Sequence, residues 1–185
     1  MKSILTFISI LFTINNFAQQ MLPMSNTETK KEISMADATG KTTNGVYKYY
    51  AKGDNKPFTG ILFAKYKNGN YESWQEFENG VGQGKWINYY ENGNYKEIGN
   101  YNNNLVEGSI QKFYKNGILK SKGTYKNWRI KIGEWKYYNE DGSLKNTIDY
   151  GKKGSIDEVK AYYKRGEISY QWYSSILKKN GFTED

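Results

Sequence analysis

Apolar and aromatic side chains recur along this chain in short alternating runs, and the runs are cut at regular intervals by Asn-Gly or Asp-Gly pairs. These pairs stand at Asn68-Gly69, Asn92-Gly93, Asn116-Gly117 and Asp141-Gly142, with a weaker Arg165-Gly166, so their glycines follow at 24, 24, 25 and 24 residues. Nine residues ahead of the first four stand Gly60, Gly84, Gly108 and Gly133; Asp157 takes that place in the fifth unit. Such constant spacing marks an internal repeat. Asn, Asp and Gly tolerate the positive φ of a two-residue type I′ hairpin, so each unit predicts strand, tight turn and strand.

Alternation assigns the faces. Two residues past each leading position stand Leu62, Trp86, Ile110, Trp135 and Val159, and six past it stand Tyr66, Tyr90, Tyr114, Asn139 and Tyr163. Equal parity predicts one strand face for both sets. The returning strand carries Tyr71, Tyr95, Leu119, Leu144 and Ile168, then Phe77, Tyr101, Tyr125 and Tyr150 six residues later, again of one parity. Gly99 and Gly123 lie between them on that face and leave room for a ring of Trp86, Trp135 or a neighbouring tyrosine. The expected architecture is all-β: an elongated, open antiparallel meander of about five hairpins of period 24 with an aromatic stripe. An irregular hairpin, Gly45–Tyr50 against Pro57–Phe63, is expected at one end. At the other, Tyr170 to Phe182 reads as a short helix capped by Ser174 and closed by Lys178, Lys179 and Gly181, or as a further strand.

The N-terminus reads as an address. Lys2, an apolar run from Ile4 to Phe12 and the sequence Phe17-Ala18-Gln19 follow the order of a secretory signal peptide over residues 1–18. The run is far below the ~20 residues of a membrane span. Residues 19–40, polar and aperiodic, read as a flexible leader, and 41–182 as the repeat domain. Export places the protein in the periplasm or outside the cell.

Composition narrows the chemistry. The 185 residues include no histidine and no cysteine. That excludes thiolate or imidazole catalysis, a Ser-His-Asp triad, disulfides and thiolate or imidazole metal sites. Glu72, Glu76, Glu78 and Glu140-Asp141 read as solvated strand charges and turn formers. Gly80 to Gly84 joins two strands instead of opening a helix, which argues against a phosphate cradle. No enzyme, cofactor or metal is expected. The formal charge of +8 invites nucleic acid. Only Arg129 and Arg165 of the 27 basic residues are arginine, however, and the lysines are spread along the strands. Nucleic acid is therefore disfavoured. Of the 18 tyrosines, Tyr101 and Tyr125 join Trp86 and Trp135 as repeat packing. Tyr49, Tyr50, Tyr89, Tyr137 and Tyr162, of opposite parity or irregular placement, are the candidate partner-contact face.

Lys56-Pro-Phe-Thr-Gly60, the Tyr-x-Asn-Gly turns, the returns Gly99-Asn-Tyr-Asn-Asn103 and Gly123-Thr-Tyr-Lys-Asn127 and the Gly-x-Trp-x-x-Tyr starts resemble the MORN-repeat variant of the bacterial YwqK-like antitoxin family. The segment Asn-Phe-Ala-Gln-Gln is similar to signal peptides of the Bacteroidetes group. The resemblance implies a non-enzymatic β-hairpin repeat protein of antitoxin or immunity type, whose partner is another protein, a toxin or an envelope component. The alternative is an envelope scaffold or peripheral binder of anionic lipid or polysaccharide. The sequence departs from the family pattern at Trp128, at the extra residue before Gly133, and in the fifth unit, which reads as a degenerate end cap.

Overall fold

The structure, a computed structural model, describes residues 30–183. The export segment 1–18 and the leader up to residue 29 lie outside the described residues. Eleven strands precede two helices: β1 (Glu32–Ser34), β2 (Ala38–Thr43), β3 (Val46–Ala51), β4 (Gly60–Lys65), β5 (Tyr71–Glu78), β6 (Val81–Tyr89), β7 (Tyr95–Asn102), β8 (Leu105–Phe113), β9 (Leu119–Lys126), β10 (Ile130–Tyr138), β11 (Leu144–Asp149), α1 (Asp157–Lys164) and α2 (Tyr170–Lys179). Strands β4 to β11 pair in chain order as an open antiparallel meander, and β1 adds to β4 in parallel. The smaller β2–β3 hairpin stands apart.

The repeat turns are not of the expected type. Gly69, Gly93, Gly117 and Gly142 have φ near 87°, whereas Asn68, Asn92, Asn116 and Asp141 keep negative φ. The Gly69 amide donates to the Tyr66 carbonyl, and the Tyr66 amide to the Asn70 carbonyl, a pattern repeated at Tyr90, Tyr114 and Asn139. This is the three-residue hairpin, a type I turn closed by a left-handed glycine. Two-residue turns with both central φ positive occur at Asn44-Gly45, and at the connectors Asn79-Gly80 and Asn103-Asn104 between units.

The three-residue turn explains a second departure. Each hairpin shifts register beside it, at Ala64/Lys65, Asn88/Tyr89, Lys112/Phe113 and Tyr137/Tyr138. A bulge of this kind swaps the faces of the residues beyond it. Tyr95 therefore pairs with Tyr89, three residues past Trp86 and on the opposite face, while Tyr101 pairs with Gly84 on the Trp86 side. One stripe becomes two. The leading glycines have φ from 59° at Gly133 to 146° at Gly60. Gly84, Gly108 and Gly133 also fall within the register shifts between units.

On the first face, Trp86, Val106, Ile110, Tyr125 and Trp135 form one buried cluster. Trp86 lies over Gly99 and Trp135 over Gly123, where a Cβ would enter the indole. Both ends of this face are roofed. At the N-terminal end Ala51, Phe58, Leu62 and Phe77 pack together, joined by Ile33, Met35, Ala38 and Tyr49. At the C-terminal end Val159, Tyr173, Ile176 and Leu177 of the helices meet Ile130 and Ile156.

Four terminal expectations are corrected. Residues 32–40 form β1, a 3-10 turn and the start of β2, because Ile33 and Met35 find apolar contacts beside β4. Strand β3 pairs with β2 across Asn44-Gly45, and meets the Pro57 segment in a single bridge, Tyr50 to Pro57, with the Phe58 amide donating to the Tyr49 carbonyl. The fifth unit is helical. Ile156, Val159 and Tyr163 follow helical spacing, with Asp157 and Glu158 in the first turn and Lys164 in the last, as the helix dipole favours. Arg165-Gly166 then ends α1: the Gly166 amide donates to Tyr163 and the Glu167 amide to Tyr162, with Gly166 at φ 73°. The segment from Tyr170 is a helix, but its cap is Ser169, whose Oγ accepts from the Trp172 amide. Ser174 lies inside it.

Candidate functional site

The roofed face holds a charged cluster. Arg129 follows Asn127 and Trp128 in three consecutive positive-φ residues, and the extra residue before Gly133 gives this connector its length. The turn sends the guanidinium back under the sheet, where Arg129 is 7% exposed. It donates to Glu158 at 3.0 Å and to Glu97 at 3.2 Å and 3.5 Å. Lys112 reaches Glu158 at 2.7 Å and Glu97 at 3.5 Å, and the Tyr125 hydroxyl donates to Glu158 at 2.6 Å. Two cations thus meet two carboxylates. Burial pushes the Glu158 carboxyl up, but Lys112 and then Arg129 hold it below its ordinary value. Burial and the Glu158 charge raise the Tyr125 phenol. Burial opposes the charge on Arg129, and Glu97, Tyr162, Tyr125 and Glu158 together more than restore it. The guanidinium also lies over the rings of Tyr162, Trp86 and Tyr125. Every member is committed to docking α1 on the sheet.

The opposite face is open in a different way. Phe63, Tyr71, Tyr89, Tyr95 and Phe113, one from each of β4 to β8, form a continuous ladder with centroids 5.7, 6.0, 5.5 and 5.9 Å apart. All five rings are half-buried. Beside them Trp74, Ile87 and Ile98 share a row, because Ile87 pairs with both. Burial and the neighbouring Tyr95 and Tyr71 push the Tyr89 phenol up to about 12. Towards β10 the face becomes polar, with a shallow groove of about 530 Å³ lined by Lys85, Ile98, Asn100, Gln111, Lys122 and Lys136, among others.

The ladder is held at the turn end by a periodic set of hydrogen bonds. The hydroxyls of Tyr66, Tyr90 and Tyr114 donate to the carbonyls of Tyr89, Phe113 and Tyr138 in the next unit, at 2.9, 2.9 and 2.8 Å. Asn68 and Asn70 donate to Glu91, and Asn92 and Asn94 to Lys115. The Tyr and Asn of Tyr-x-Asn-Gly therefore clip one unit to the next.

The five tyrosines expected to form a contact face do not converge. Tyr89 belongs to the ladder. Tyr50 is buried, 3% exposed, with its hydroxyl against Thr43 and Lys41 over its ring. Tyr49 meets Tyr47 and Phe77 edge to face. Tyr137 stacks on Trp135, and its hydroxyl meets that of Tyr150 and accepts from the Lys131 ammonium. Tyr162 packs in α1 against Trp128. Parity alone missed Tyr71 and Tyr95, because the bulges move these returning-strand rings to the other face, where they join Phe63 and Phe113 of the rising strands. It also missed the Arg129 cluster, whose only signal was the irregular connector.

Among the described residues, no group of three or more Asp and Glu side chains is placed to hold a metal ion, and no helix is long and apolar enough to cross a membrane. Residues 82–103, 106–127 and 131–151 match the family described as MORN repeat variant. The matched segments are the pairs β6–β7, β8–β9 and β10–β11, and this repeat suggests a binding module. No curated protein and no solved structure matches the chain.

Proposed function

We propose that this is an exported, non-enzymatic repeat module that binds another protein through the open face of its meander, with neutralisation of a toxin-like polypeptide as its role. The ladder Phe63–Tyr71–Tyr89–Tyr95–Phe113 carries the reading. Rings held rigid by their neighbours lose little entropy on contact and supply large apolar area, which makes them strong interface anchors. The N-terminal hairpin and the helices pack on the other face, so the ladder faces away from both. The order of residues 1–18 supports export, and the YwqK-like resemblance supports the antitoxin role.

The test is a pull-down from envelope extracts with the intact chain and with Tyr71→Ser/Tyr89→Ser/Tyr95→Ser, circular dichroism confirming that both are folded. One protein species retained by the wild type and lost by the variant supports the reading. No species retained, or equal retention by both, contradicts it. The lysine-lined groove favours a second reading, a peripheral binder of anionic lipid or polysaccharide. That reading requires binding to anionic vesicles or acidic glycans that weakens steeply with salt. Salt-insensitive or absent binding removes it.

A further inference from the structure

Six Asn-Gly pairs stand in the chain, beginning at Asn44, Asn68, Asn79, Asn92, Asn116 and Asn180. Such pairs carry a reaction of their own. The glycine amide nitrogen, unhindered by a side chain, attacks the asparagine Cγ, and a five-membered succinimide forms as ammonia leaves. Water then opens the ring at either carbonyl and leaves aspartate or isoaspartate, a carboxylate in place of the carboxamide. Water is the only co-reactant. The carboxamide and the amide must be free to meet, so a fold that binds either one suppresses the reaction. We propose that this fold directs the modification to a single pair, Asn44-Gly45 at the tip of the β2–β3 hairpin.

The other five pairs are held. Asn68, Asn92 and Asn116 accept through Oδ1 from the amide two residues on, and donate through Nδ2 to the Glu91, Lys115 and Glu140 carbonyls of the next unit. The amides of Gly69, Gly93 and Gly117 donate to the carbonyls of Tyr66, Tyr90 and Tyr114. The Asn180 side chain binds Ile176 and Asn127, while the Gly181 amide donates to Lys178. Gly80 is buried and its amide donates to the Phe58 carbonyl at 2.7 Å, which withholds the nucleophile from Asn79. Asn44-Gly45 differs in each respect. Both residues are exposed, and a Cβ added to Gly45 would meet nothing within 4 Å beyond its chain neighbours. Among the described residues, neither the Asn44 carboxamide nor the Gly45 amide has a hydrogen-bond partner. Ring closure requires the turn to open, and here only the Thr43–Val46 end of one hairpin has to fray. Opening a repeat turn breaks its clip to the next unit as well. The isoaspartyl product inserts a methylene into the main chain of a two-residue turn, and either product gives the hairpin a negative charge.

The test incubates the intact chain at mildly alkaline pH, which favours the deprotonated glycine amide, once folded and once unfolded in concentrated guanidinium chloride. Peptide mapping by mass spectrometry follows every pair in both. In the folded chain Asn44 is expected to convert at least about tenfold faster than any of the other five, because each of those must first lose its hydrogen bonds. In denaturant the six should convert at comparable rates. Asn44→Gln, whose longer side chain closes a ring far more slowly, should remove the acidic species that ion exchange resolves from the aged wild type. Another pair converting as fast as Asn44 in the folded chain overturns the proposal. So does a folded Asn44 that stays intact while the unfolded chain converts, or an acidic species that persists in Asn44→Gln. The same preference for Asn44 in denaturant also overturns it, since local sequence and not the fold would then select the site.

Discussion

Units two and five begin from the same spacing and end as different structures. In unit two, Gly84 stands at φ 94° ahead of Trp86, and Gly93 at φ 87° closes a hairpin. In unit five, Asp157 opens a helix, Val159 packs against the other helix, and Gly166 at φ 73° ends it. The left-handed glycine recurs at the same interval in both, so it marks where an element stops and not what kind of element it was. The side chains before it decide the kind. Apolar residues at alternate positions give the strand, and Ile156, Val159 and Tyr163 at helical spacing give the cap. The two regions are also held differently. The hairpins are joined to neighbours by many similar bonds, whereas the cap is joined to the sheet by apolar packing, a buried ionic cluster and a few hydrogen bonds at Ser155 and Asn180.

Substitutions at the two kinds of joint sharpen that contrast. The largest effect is expected at Arg129→Ala, which leaves Glu97 and Glu158 buried with Lys112 alone. Breaking a buried ion pair costs about 3–5 kcal/mol, so chemical denaturation should show the cap released first. Next is Gly123→Ala, within the repeats, where the added Cβ meets the Trp135 indole. Overpacking of this kind costs about 1–3 kcal/mol and should lower the melting temperature of the sheet itself. Acid should act on the cap before the hairpins. The folded Glu158 carboxyl lies below its ordinary 4.5, so its stabilisation is complete above that value. It is lost as the pH falls through the folded pKa. Melts followed by near-ultraviolet circular dichroism should show the tertiary signal of the helices fading at acid pH in the wild type. The smallest effect is expected at Tyr90→Phe, which removes one clip to the Phe113 carbonyl. About 1 kcal/mol is at stake, measurable as a shift in denaturation midpoint.

Much of this was legible in the sequence. The period, the open meander and the covering of Gly99 and Gly123 by Trp86 and Trp135 follow from glycine spacing and strand parity. The ladder was hidden because a three-residue turn adds a bulge, and the bulge moves Tyr71 and Tyr95 to the face opposite Phe77 and Tyr101. Counting in twos through a bulge gives the wrong face. The charged cluster was hidden because Glu158 is brought to the cross-strand pair Glu97 and Lys112 and to Arg129 of the connector by docking of α1, which no local pattern encodes. The β2–β3 hairpin was legible after all in Asn44-Gly45, whose positive φ values of 50° and 75° are those of the two-residue turn.

Residue-resolved hydrogen–deuterium exchange on the wild type and Arg129→Ala tests most directly whether cap and hairpins are separately held. The expected result is faster exchange confined to α1, α2 and the adjoining ends of β9 and β10, with β4 to β7 unchanged. An equal rise across the whole sheet would contradict it and make repeats and cap one cooperative unit.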